Sequence, residues 1–95
     1  MLNFKDIVDA IIDLAIDPTE ATLYVAQATI QPIVDYRLGG TQLHFINFNS
    51  NDYLDDVVNL QELVDYVEEE GLDLSTIAIE CIDFEVTENK ILLFC

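Results

Sequence analysis

Basic residues are nearly absent from this chain. Lys5, Arg37 and Lys90 stand against nineteen acids, and the formal net charge is −16. Polyanions are therefore disfavoured by sign: direct contact with nucleic acid or with an anionic membrane is not expected, and a basic protein partner is. Glycine and proline are also scarce, at three and two residues, while apolar side chains make up 52% of the chain. Disorder requires high net charge together with low hydrophobicity, and only the first is present. At 95 residues there is enough chain for one core, so residues 1–95 are expected to form a single compact acidic domain. Cys81 and Cys95 are the only two cysteines. No leader-like segment opens the sequence, and no apolar run approaches the length of a membrane span. These features predict a cytoplasmic protein, in a host cell if phage-encoded, with both thiols free.

Catalytic signatures are missing as well. The one histidine, His44, falls among apolar residues of a predicted strand and reads as structural. Neither cysteine has a motif partner for nucleophilic catalysis. Gly39-Gly40 is a turn, not a phosphate loop. Asn47, Asn49 and Asn51 alternate like the start of a calcium loop, but Asp52 occupies the glycine position and Val58 the position of the closing acid. No enzyme activity, cofactor or metal is expected.

What is present is hydrophobic periodicity. Phe4, Ile7, Val8, Ile11, Ile12, Leu14 and Ala15 predict a helix over 4–16, capped by Asn3. Asp17-Pro18-Thr19-Glu20 resembles a helix start and predicts a second helix over about 18–30, with a strand as its rival because Thr22, Val25, Thr29 and Ile30 are β-branched. Pro32 is expected to end either. Residues 33–38 and 41–48 flank Gly39-Gly40 as a hairpin. Asn59 and Glu62 have capping-box spacing before a third helix that stops at Gly71. A final hairpin is expected from 76–86 and 91–95, with a bulge near Cys81 turning Glu80, Asp83 and Glu85 outward. Cys81 should then face away from Cys95. The expected fold is α+β, in the order α-α-β-β-α-β-β, with about four antiparallel strands covered by helices on one face.

Charge is polarised along this framework. Residues 52–88 hold thirteen of the nineteen acids and no base, whereas 21–51 is nearly neutral and is the expected contact of any homodimer. Solvation alone accounts for many acidic faces. Here, however, acids also occupy positions that cost stability. Glu68-Glu69-Glu70 fills the last helical turn, where the dipole prefers cations by about 0.3–1 kcal/mol per residue. Helical carboxylates four residues apart are separated by about 6 Å and alternate strand residues by about 6.6 Å, so rows of acids can imitate a line of phosphates. The residues expected to bind a partner are Asp6, Asp9 and Asp13; Asp55 and Asp56; Glu62, Asp65, Glu68, Glu69, Glu70 and Asp73; and Glu80, Asp83 and Glu85. The general style is similar to phage inhibitors of restriction enzymes, CRISPR effectors and DNA-repair glycosylases, although no motif aligns with any one family. The expected function is a DNA-mimic inhibitor that blocks the basic channel of a nucleic-acid-binding protein. The alternative is an acidic immunity or adaptor protein that grips one basic partner through a compact hot spot such as Tyr53 and Tyr66.

Overall fold

A computed structural model describes residues 1–47 and 57–95 of the chain. The order is β1 (Leu2–Asn3), α1 (Phe4–Asp13), β2 (Thr22–Ala26), β3 (Ile30–Gly39), β4 (Gln42–Asn47), α2 (Leu60–Glu69), a 3-10 turn (Leu74–Thr76), β5 (Ala78–Ile79), β6 (Asp83–Thr87) and β7 (Lys90–Phe94). The strands form one mixed sheet in the order β1-β5-β4-β3-β2-β7-β6. β2 runs parallel to β7 and β4 parallel to β5, and the other pairs are antiparallel.

This overturns the expected four-stranded antiparallel sheet with helices on one face. Two local departures explain the difference. The stretch predicted as a second helix is β2 and the start of β3. Asp17 does accept the Thr19 N–H at 2.9 Å, and Glu20 N–H bonds the Asp17 carbonyl at 2.9 Å, but the turn goes no further. Beyond it Leu23 and Val25 alternate inward, in register with Ile91 and Leu93 of β7. Pairing on both sides outweighs the weak helical preference of β-branched residues. Pro32 does not end the element but lies in β3 opposite Tyr24, at the point where β3 changes its pairing from β2 to β4.

The second departure is at 80–82. One strand was expected from 76 to 86, with a bulge. The chain instead makes a tight turn, with Cys81 N–H on the Ile79 carbonyl at 2.8 Å, and splits into β5, next to the terminal β1, and β6, at the other end of the sheet order. A three-residue link between the two ends rolls the sheet into a near-barrel. Leu2 N–H on Cys81 O (3.0 Å) and Ile82 N–H on Phe94 O (2.8 Å) fasten the seam. The same turn brings Cys81 beside Cys95, and the two form a disulfide with Cα atoms 4.0 Å apart. The hairpin itself closes through a two-residue turn, Thr87 pairing with Lys90 and Asp83 with Phe94. The expectation of free thiols on opposite faces fails because the strand bends before it reaches Cys81.

One core unites helices and sheet. Phe4, Ile7 and Ile11 of α1 and Leu60, Leu63 and Val67 of α2 are fully buried with Leu23, Ile33, Leu43, Ile79, Ile91 and Leu93 of the strands. Each such side chain contributes about 1.5–3 kcal/mol relative to exposure. Asn3 caps α1 through Lys5 N–H, and Asn59 caps α2 through Glu62 N–H. α2 ends in a Schellman arrangement: Gly71 has φ +73°, its N–H bonds Glu68 O at 3.0 Å, and Leu72 N–H bonds Val67 O at 3.3 Å. α1 ends the same way three residues before its predicted limit, with Ala15 in the left-handed position at φ +56°.

Candidate functional site

The acids follow from the helical faces. On α1 the buried residues are Phe4, Ile7, Val8 and Ile11, and Asp6, Asp9 and Asp13 are exposed on the opposite side. On α2 Leu60, Leu63 and Val67 turn inward, leaving Glu62, Asp65 and Glu69 as an exposed row. Glu68 and Glu70 are exposed beside its end, and no basic residue lies in the last turn. Glu80 is exposed in the link between β5 and β6, and Asp83 and Glu85 alternate outward along β6. Asp55, Asp56 and Tyr53 lie outside the described residues, as do Asn49, Asn51 and Asp52 of the calcium-like spacing. Among the described residues there is no buried charged group and no cluster of three acidic, histidine or cysteine ligands suited to a metal.

Neutralisation is sparse. Among the described residues one ion pair forms, Lys5 Nζ to Asp9 at 3.0 Å, one turn apart on α1. The bond to Asp9 and its charge hold the Lys5 ammonium above its ordinary pKa, with smaller help from Asp6 and Asp73. Lys5 therefore marks where the α1 stripe meets Asp73, at the start of the 3-10 turn against which both helices pack. Lys90 is spent differently, over the Tyr24 ring at 5.8 Å.

Besides Asp9, three of the candidate acids also accept local hydrogen bonds, Asp65 from the Gln61 side-chain amide at 2.9 Å. Asp73 accepts the N–H and hydroxyl of Ser75, both at 2.9 Å, and these bonds lower its pKa. Asp83 accepts the Phe84 N–H at 2.8 Å. Glu68, Glu69 and Glu70 accept no side-chain hydrogen bond among the described residues.

One feature escaped the sequence reading. Tyr66 pairs with Tyr36 of β3, the ring centroids 5.0 Å apart and the planes at 65°. The Tyr66 hydroxyl accepts the Leu38 N–H at 3.3 Å. Burial, then a hydrogen bond to the Glu62 carboxylate and its charge, hold the Tyr36 phenol well above its ordinary pKa. Glu62 thus has only half of the capping-box role expected of it: its N–H bonds Asn59, and its carboxylate lies near enough to Tyr36 to raise the phenol pKa. A signal existed in the sequence, because Tyr36 and Leu38 alternate on the same strand face as core residues.

A cleft of about 180 Å³ lies at the seam, lined in part by Gln27, His44, Glu80, Cys81 and Cys95. Its ionisable members do not converge on a hydrogen-bonded pair among the described residues. Comparison with family models, with curated proteins and with solved structures found no match in any of the three. No helix among the described residues is long and apolar enough to cross a membrane.

Proposed function

We propose that this protein is a DNA-mimic inhibitor, of the anti-CRISPR, anti-restriction or glycosylase-inhibitor type, which occupies the basic nucleic-acid channel of a host defence or repair protein. The observation that carries the reading is the pairing of rigidity with uncompensated charge. Carboxylate rows ride on two capped helices and a paired strand, and one ion pair offsets them among the described residues. A coat needed only for solubility is less costly with mixed signs. The longest dimension, 33 Å, is about one helical turn of duplex. The partner would be a basic nucleic-acid-binding protein, found by electrostatic steering, with no catalysis by the inhibitor itself.

The proposed place of action is the host cytoplasm. A reducing compartment would keep Cys81 and Cys95 as thiols, in which case the hydrogen bonds at Leu2 and Ile82 hold the seam. The test is displacement of labelled duplex from a panel of restriction, CRISPR-effector and repair proteins. Release at low salt, fading as salt rises, is expected, with graded loss as lysines replace acids in successive rows. If every panel member keeps its DNA at low salt, mimicry is wrong. The second reading, an immunity or adaptor protein with a compact hot spot, is favoured by the Tyr36–Tyr66 pair.

A further inference from the structure

We infer that the Tyr36–Tyr66 pair, with Glu62 and Glu70 one helical turn to either side of Tyr66, seats an arginine side chain of the partner. The inference rests on the proposed function for the sign of that partner and goes beyond it by separating one anchor from the general field of charge.

The pair is built as a fixed surface. Tyr66 is held from β3 by the Leu38 N–H and meets Tyr36 edge to face, so the ring carried by α2 is tied to the strand that carries the other. Both residues are half-exposed. Rings restrained in this way have little rotamer freedom left to lose on binding, which is why tyrosine recurs at interface anchors. Around Tyr66 the helix places Glu62 four residues before and Glu70 four after, with Glu69 at three. Side chains at these spacings are surface neighbours.

Bare carboxylate rows attract lysine and arginine alike. An aromatic face edged by carboxylates discriminates, because the planar, weakly hydrated guanidinium can lie over a ring and direct its fork of N–H groups at an acid. The chain shows the aromatic half of this recognition within itself, since Lys90 covers Tyr24. No cation lies over Tyr36 or Tyr66 among the described residues. Arg37 does not fill the place: it alternates to the opposite face of β3 from Tyr36 and Leu38. A row that only copied phosphates would have no use for the rings. The seat also gives Glu69 and Glu70 a reason to stand at the wrong end of a dipole.

The test uses the full-length protein with hexa-arginine and hexa-lysine peptides, tyrosine rings being followed by NMR. Hexa-arginine is expected to shift the Tyr36 and Tyr66 ring signals saturably and to leave Tyr24 nearly still. Glu62→Gln should weaken hexa-arginine about five- to tenfold, more than Glu85→Gln, although both remove one charge. Hexa-lysine should not tell these two variants apart. Tyr36→Phe keeps the ring and should bind hexa-arginine at least as well as the parent. A thermal melt of each variant checks that it is folded. Unmoved Tyr36 and Tyr66 signals, or equal losses from Glu62→Gln and Glu85→Gln, would overturn the seat, even with DNA displacement intact. Failure to displace DNA with the ring shifts intact would instead remove mimicry and leave the seat.

Discussion

Glu69→Lys should make this protein more stable. Glu69 is the last residue of α2, exposed, with no basic residue in its turn. Removing an anion from the negative end of the helix recovers about 0.3–1 kcal/mol, and placing a cation there adds a similar amount. Asp65 lies four residues before it, so a repulsive pair becomes an attractive one in the favoured orientation, for a further ~0.2–0.5 kcal/mol. Solvent exposure argues for the lower part of the summed range, about 1–1.5 kcal/mol. In a domain of this size that raises Tm by roughly 5–10 °C.

Any glutamate-to-lysine change also relieves the self-repulsion of a chain at −16. The comparison is therefore with Glu85→Lys, on an exposed position of β6 that has no helix end. Thermal melts at low salt should place Glu69→Lys above Glu85→Lys, and 1 M salt should remove most of the difference, since the screening length falls to about 3 Å. If Glu69→Lys is no more stable than Glu85→Lys at low salt, acids at the end of α2 cost the fold nothing. The chief argument that they serve a partner would then be gone.

Three further outcomes follow from local geometry. Ala15→Gly should stabilise by about 1 kcal/mol in a chemical melt, because Ala15 holds a left-handed conformation at φ +56° that glycine adopts freely. Alkaline titration followed by phenolate absorbance should show a step well above the ordinary phenol range, and Tyr36→Phe should abolish that late step. Because folding raises the Tyr36 pKa, its contribution to stability is complete below pH 10 and is lost as the pH climbs toward its folded value. Cys95→Ser should lower Tm in oxidised samples and match the reduced parent, with the loss bounded at about 3 kcal/mol by the short loop that the bond closes.

The helices were legible in the sequence because their determinants are local. The 3.6-residue apolar spacing of Leu60, Leu63 and Val67, the Asn59 cap and the left-handed Gly71 all lie within thirteen residues and agree with one another. The β3–β4 hairpin was legible for the same reason, but its turn falls one residue later than expected, at Gly40-Thr41: Gly39 pairs with Gln42, and Gly40 has φ +64°. β2 was not. Its principal partner is β7, in parallel register with Leu23 opposite Ile91, and nothing near residue 23 announces a strand that arrives nearly seventy positions later. The Asp17 turn even supplied a genuine helix-start signal that the chain uses for a single turn. The break at 80–82 is of the same kind. It is fixed by the need of β5 to pair with β1 and β4, and of β6 to pair with β7.

The candidate surface was legible as charge but not as chemistry, and the structure sorts its acids into two kinds. Asp17 and Asp73 sit where a fold uses carboxylates: each accepts a backbone N–H and a hydroxyl, and each has a lowered pKa for that reason. Their contribution is present above the ordinary carboxylate range and disappears as pH falls through their folded values. Glu68, Glu69 and Glu70 are the reverse. They stand in a well-formed terminus, closed by Gly71 and Leu72, that gives them nothing to accept and a dipole that opposes them. Under the proposed function their complement lies on the partner, and the aromatic pair one turn away suits an arginine.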